Sequence, residues 1–205
     1  MQGVKWLFFD LGSTLINESE CYRQRILEMI DGKKISYEEF YVAMLSYYKE
    51  GENGIAIAAK KYNLSLPEWK SEYEFLYSDT AYCLERLCKK YRLGIIANQN
   101  SGTKARLRAF GIDKYFDIIV SSAEEGLAKP DPEIFLLALR RAKCSPEHAV
   151  MIGDRLDNDI APAAMLGMVT VRILRGFGKF APISSEYEKP DYTVNDLYEI
   201  CSILL

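Results

Sequence analysis

Short, predominantly apolar runs recur along this chain, and helical stretches separate most of them. The runs cover residues 4–9, 93–97, 117–120, 149–152, 169–173 and 192–194. Half-exposed strands alternate apolar with polar residues; near-continuous apolarity marks strands covered on both faces. Residues 103–110, 132–143 and 158–166 read as helices between them. The second has an explicit start signal, with Asp131 as N-cap and Pro132 in the first turn. Strand–helix alternation of this kind predicts an α/β fold built on a doubly wound parallel sheet.

One stretch breaks the alternation. From about residue 18 to 91 the sequence offers no convincing strand. Ser36-Tyr37-Glu38-Glu39 reads as a capping box. Tyr37, Phe40, Tyr41, Met44, Leu45 and Tyr48 then follow at helical spacing on one face. Residues 20–30 and 54–62 also read as helical, and 79–91 returns the chain to the sheet. The expectation is a helical insertion over residues 17–79, carried by an α/β core of residues 1–16 and 80–205. Nine of the fourteen tyrosines fall between Tyr22 and Tyr82, which fits packing among amphipathic helices better than an aromatic substrate surface.

Composition narrows the functional classes. With 205 residues the chain can bury a sizeable core. A net charge of −3 gives no reason to expect nucleic acid or an anionic membrane as partner. No apolar run approaches the ~20 residues that span a bilayer. The N-terminal stretch, with one lysine and a short apolar run, does not read as a signal peptide. The five cysteines include no CxxC and no even-numbered framework, so reduced thiols and a cytoplasmic location are expected. Dinucleotide and P-loop fingerprints are missing, and Gly176-Phe177-Gly178-Lys179 is too short for the latter. The single histidine, His148, precedes the fourth run and reads as a structural residue.

In open parallel sheets, ligands gather beyond the carboxyl ends of the strands. Four segments lie there: Asp10-Leu11-Gly12-Ser13-Thr14, Ala97-Asn98-Gln99-Asn100, Gly126 to Pro130, and Gly153 to Asp159. They would bring three carboxylates (Asp10, Asp154, Asp159) and Lys129 into one crevice. Unpaired carboxylates at close range repel one another and shift their pKa values. A hard divalent cation with oxygen ligands relieves that, and Mg²⁺ suits carboxylates plus a substrate phosphate. A metal and a lysine facing a strand-end aspartate can stabilise a transferring phosphoryl group. The aspartate itself can attack phosphorus. Arg23 and Arg25 in the insertion, and Arg172, Arg175 and Lys179 after the fifth run, are further candidates to meet an anion, though solvated positions are their default reading.

These motifs resemble those of the haloacid dehalogenase superfamily. FFDLGSTL is similar to its first motif, LGIIANQN stands in the place of the second, GLAKPDPEIF matches the third and MIGDRLDNDIAPAAMLGM the fourth. The resemblance covers nearly the whole chain and implies a Rossmann-like core with a small helical cap between the first two motifs. It implies that Asp10 is the nucleophile and a metal ligand, and that the Gly12 carbonyl is another ligand. Asp154 would bind Mg²⁺, with Asp159 supporting it directly or through water. Lys129 would neutralise Asp10 and the phosphate, and Asn98 would help to hold the phosphate. The implied activity is Mg²⁺-dependent hydrolysis of a small phosphorylated metabolite through an aspartyl-phosphate.

Two positions depart from the family pattern. Most family phosphatases carry a second aspartate two residues after the nucleophile, which protonates the leaving group and later activates water; here that residue is Gly12. A Ser or Thr usually precedes Asn98; here it is Ala97. The missing proton then comes from the substrate, from water or from a cap residue, or a good leaving group makes it unnecessary. Two other readings stand beside this one. The chain is a degenerate member that binds a phosphorylated ligand or a protein, or it is a carbon–halogen hydrolase, a class that also lacks the second aspartate. Sequence leaves the oligomeric state open.

Overall fold

Six strands pair in parallel into one sheet in the computed structural model, which describes residues 3–205. Met1 and Gln2, the start of the expected core segment, lie outside the described residues. In chain order the strands are β1 (Trp6–Phe9), β2 (Ile16–Asn17), β3 (Phe75–Leu76), β4 (Arg92–Ala97), β5 (Ile118–Ser121), β6 (Ala149–Gly153), β7 (Val169–Ile173) and β8 (Tyr192–Val194). The α-helices are α1 (Ser19–Ile30), α2 (Tyr37–Lys49), α3 (Gly54–Lys61), α4 (Thr80–Leu87) and α5 (Thr103–Ala109), then α6 (Ser122–Glu125), α7 (Pro132–Ala142), α8 (Ala161–Met165) and α9 (Leu197–Leu204).

The sheet order is β5-β4-β1-β6-β7-β8. From β1 the chain builds outward first to one side, through β4 and β5, and then to the other, through β6, β7 and β8. The reversal opens a crevice beyond the carboxyl ends of β1 and its neighbours, where a doubly wound sheet binds ligands.

The apolarity of the runs is explained by the two layers of helix. Leu7 and Phe9 of β1, Leu93 and Ile95 of β4, and Val150 and Ile152 of β6 join one buried cluster, which also takes in Leu84 and Leu87 of α4 and Leu197 and Ile200 of α9. Trp6, Phe8, Ile96 and Met151 point to the other face, against Ile134, Phe135 and Ala138 of α7. Burying each large side chain contributes ~1.5–3 kcal/mol. Gly94 has a packing reason: a Cβ there would stand 2.6 Å from the Phe8 ring.

Between β2 and β3, helices α1, α2 and α3 build a cluster of their own from Ile26, Met29, Phe40, Met44, Tyr48 and Ile55. Ser36 caps α2 by accepting a hydrogen bond from the Glu39 N–H at 3.1 Å. The reciprocal bond of a full capping box is not among the described hydrogen bonds. Gly54 lets α3 approach α2, since a Cβ there would lie 2.3 Å from the Met44 carbonyl oxygen.

Two expectations need correction. The stretch from residue 18 to 91 does contain a strand: β3 pairs antiparallel with β2 in the register Ile16↔Leu76 and Asn17↔Phe75. Two-residue strands are too short for periodicity to register. The helix expected over 158–166 is a π-helical turn over Leu156–Ile160 followed by α8. Pro162 has no N–H to donate into a regular α-helical ladder, and the wider turn takes up that break.

Candidate active site

Asp10 ends β1 as the parallel ladder continues, with its N–H donating to the Ile152 carbonyl at 2.9 Å. The chain then turns at once. The N–H groups of Thr14, Leu15 and Ile16 all reach back to the Leu11 carbonyl. Ser13 adopts φ 57, in the left-handed region that side chains rarely occupy.

Beyond the strand ends the charges converge. Lys129 Nζ donates to Asp10 Oδ1 at 2.6 Å and to Asp159 Oδ1 at 2.5 Å. The other oxygen of Asp159 accepts from the Arg155 N–H at 3.0 Å. The π-helical turn returns Asp159 to Lys129, and Gly153 makes room for it: a Cβ there would meet Asp159 Oδ2 at 2.3 Å. Asp10, Asp154 and Asp159 are all buried, and each offers an oxygen within 4.8 Å of the others. Asp154 accepts no side-chain or backbone hydrogen bond among the described residues.

The electrostatics follow from this packing. Burial pushes the Asp154 carboxyl well above the usual carboxylate range, and the nearby Asp159, Asp10 and Glu18 push it further. Asp159 is raised to about 6 by burial, with Lys129 pulling against the rise. Burial alone would lower the Lys129 ammonium, but Asp10 and Asp159 reverse that and hold it protonated. A bare, buried carboxylate among two others is an all-oxygen, anionic donor set, which fits a hard divalent cation such as Mg²⁺.

Asn98 and Ala97 stand at the end of β4. The Asn98 amide donates to the Lys129 carbonyl at 2.8 Å and accepts from the Lys129 N–H at 2.7 Å. Its side chain is thus a clasp that fixes the Lys129 backbone, and its second amide N–H makes no hydrogen bond among the described residues. Ser122 also lines the cavity, but its hydroxyl is tied to the Gln99 backbone, donating to the carbonyl at 3.1 Å and accepting from the N–H at 3.0 Å.

A cavity of about 550 Å³ opens above these residues. Asp10, Lys129 and Asp154 line its floor, and Tyr22, Tyr48, Trp69 and Phe177 line it from the side of the insertion. Phe177, from the loop after β7, stacks on Tyr48 with ring centroids 4.8 Å apart and meets Tyr22 edge-on at 4.9 Å. That loop runs tight along the floor: a Cβ at Gly176 would lie 2.4 Å from Ser13 Oγ, and one at Gly178 would lie 2.4 Å from Asp154 Oδ2.

The basic residues sort themselves. Arg25 lines the cavity, with its Nε donating to the Pro67 carbonyl at 2.8 Å. Arg23 pairs with Glu20 at the surface. Arg172 donates to the carbonyls of Gly178 and Ala181, and Arg175 ties the Thr14 carbonyl to Asp79. Lys179 is exposed. His148 sits at the opposite end of β6 from the site.

Sequence reasoning does not single out Glu18, Tyr22, Tyr48, Trp69 or Phe177. Glu18 is the notable one. It lines the same cavity, and a Cβ built on Gly12 would stand 2.5 Å from its Oε1. Burial, with Asp10 and Glu74 nearby, pushes its carboxyl up to about 8. The glycine at position 12 was itself the available signal, because a missing side chain leaves a space that something else fills.

Comparison with known proteins agrees with this arrangement. Residues 4–167 match the family model described as haloacid dehalogenase-like hydrolase. The chain is 32% identical to a glyceraldehyde 3-phosphate phosphatase of Methanocaldococcus jannaschii, over 98% of this chain and 97% of that one. It is 31% identical to a glyceraldehyde 3-phosphate phosphatase of Pyrococcus furiosus, over 100% of this chain and 94% of that one. Among solved structures, a haloacid dehalogenase-type phosphatase from Thermococcus onnurineus superimposes with a TM-score of 0.68 at 28% identity, covering 98% of each chain. The chain belongs to the haloacid dehalogenase-like hydrolases, and within them to the phosphohydrolases.

Proposed function

We propose that the protein is a Mg²⁺-dependent phosphatase of a small phosphorylated metabolite, acting through an aspartyl-phosphate on Asp10. The observation that carries this reading is the buried group of Asp10, Lys129, Asp154 and Asp159 at the end of the parallel sheet, with Lys129 bridging two carboxylates and Asp154 left bare. Residues 17–79 serve as a cap over that group, and the aromatic side chains they contribute shield it from water. The relatives named for glyceraldehyde 3-phosphate make triose phosphates the first substrates to try. A cavity of about 550 Å³ is of a size to take them.

Each residue has a part that follows from its position. Asp10 supplies the attacking oxygen. Lys129 holds that carboxylate aimed, and its ammonium offsets the negative charge of the incoming phosphoryl group. Asp159 and the Asn98 clasp keep Lys129 in place. Asp10, Asp154 and the Gly12 carbonyl would hold Mg²⁺, with Asp159 beside them. Bound there, the ion supplies positive charge to the phosphoryl oxygens. Phe177 and the Gly176–Gly178 loop fasten the cap to the floor.

The test is phosphate release from a panel of phosphorylated metabolites, with Mg²⁺ and with chelator. Turnover that requires Mg²⁺ and is abolished in Asp10→Asn supports the reading. Binding of a phosphate analogue without turnover would point instead to a ligand-binding protein.

A further inference from the structure

We propose that Glu18 is the general acid and base of this site, supplying from the first turn of the cap the proton transfer that Gly12 cannot. The inference rests on the phosphatase reading of the site.

The first observation is spatial. The carboxyl group of Glu18 fills the volume that a side chain at position 12 would enter: a Cβ on Gly12 would lie 2.5 Å from Oε1 and 2.8 Å from Cδ and Oε2. Gly12 is two residues beyond Asp10, and Glu18 lines the same cavity as both. A side chain at Gly12 and the present Glu18 rotamer are mutually exclusive.

The second observation is that Glu18 has no other task there. It occupies the N-cap position of α1, yet its side chain makes no capping hydrogen bond. Among the described residues it makes no ion pair. Among those residues its one side-chain hydrogen-bond partner is Ser13, whose hydroxyl donates to Oε2 at 3.2 Å. That bond leaves Oε1 uncommitted, on the side of Gly12. Ser13, which makes this bond, holds the left-handed conformation noted above.

The chemistry balances in two steps. Asp10 Oδ attacks phosphorus, the bond from phosphorus to the leaving oxygen breaks, and that oxygen takes the proton of the Glu18 carboxyl. Water then attacks phosphorus and gives a proton to the Glu18 carboxylate. The bond from phosphorus to Asp10 breaks, releasing phosphate and restoring the Asp10 carboxylate and the protonated Glu18 carboxyl. Poor leaving groups need the first proton transfer; every substrate needs the second.

The experiment compares wild type, Glu18→Gln, and a double variant that relocates the carboxylate, Gly12→Asp/Glu18→Ala. Glu18→Gln keeps shape and the Ser13 hydrogen bond but cannot transfer the proton. With Mg²⁺, its kcat/KM for an alkyl phosphate such as glycerol phosphate should fall roughly 10²–10⁴-fold. Its kcat/KM for dinitrophenyl phosphate should change little. Steady turnover of the latter should slow after a burst of about one leaving group per enzyme, because water activation is lost. The double variant should recover alkyl phosphate turnover, which a structural role for Glu18 would not allow. An equal fall for both substrates without a burst, or no fall at all, would overturn the proposal while leaving the phosphatase reading intact. A wild type with no Mg²⁺-dependent turnover of any phosphate ester would overturn both.

Discussion

Lys129 Nζ stands 2.6 Å from Asp10 Oδ1, although the two residues are 119 positions apart in the chain. The pair is buried, and the same ammonium reaches Asp159 at 2.5 Å. One cation therefore compensates two carboxylates, and the third, Asp154, has no partner among the described residues. The uneven pairing of these four groups sets what each substitution does.

Replacing Lys129 by methionine keeps bulk and removes the cation. Asp10 and Asp159 are then buried without compensation, which costs about 3–5 kcal/mol. Urea unfolding in chelator should show that loss, and Mg²⁺ should restore part of it. Turnover should be lost in either condition.

Asp154→Asn should act in the opposite sense. Without metal, the wild type holds a buried carboxylate whose pKa is raised by burial and by Asp159. A carboxyl raised in the folded state favours folding below its unfolded pKa and loses that contribution as pH rises through the folded value. In chelator, Asp154→Asn should therefore be more stable than wild type near pH 8, and the gap should narrow as pH falls. Added Mg²⁺ should raise the melting temperature of the wild type and leave that of the variant unmoved.

Gly178→Ala tests the loop without replacing a carboxylate. Its Cβ would fall 2.4 Å from Asp154 Oδ2 and 2.7 Å from the Asp154 backbone oxygen, so Asp154 must shift. Mg²⁺ affinity should fall at least tenfold, a loss of about 1.4 kcal/mol. Calorimetric titration with Mg²⁺ measures it directly.

Phe177→Ala removes the stack on Tyr48 and the edge contact with Tyr22, each worth ~0.5–1.5 kcal/mol beyond area burial. The cap should loosen while the floor remains. Amide exchange should quicken in α1 and α2, and KM should rise more than kcat falls.

Much of this was legible in the sequence because strand ends concentrate the chemistry. Asp10 and Asp154 stand at the ends of apolar runs, Lys129 and Asp159 lie in the segments just beyond such ends, and a parallel sheet has only one end at which to collect them. The bounds of β7 and β8 could be read from apolarity and β-branching alone. The β2–β3 pair could not, because two residues carry no period. Nor could the π-helical turn, where Pro162 and the pull of Lys129 on Asp159 outweigh a helical pattern. Glu18 escaped for a different reason. Its position depends on the chain folding back over Gly12 through a strained turn at Ser13, and no spacing rule encodes that return. It also changes what Gly12→Asp alone would do. Gly12 needs no left-handed conformation, but the new carboxylate would collide with Glu18, so the single variant should lose activity rather than gain it.

Covalent chemistry on Asp10 is tested most directly by acid-quenching the enzyme during turnover of a phosphate ester with Mg²⁺ and mapping its peptides by mass. One phosphoryl group is expected on the peptide containing Asp10, and none in Asp10→Asn. Rapid turnover with that peptide unmodified, in the wild type and in Glu18→Gln alike, would contradict it.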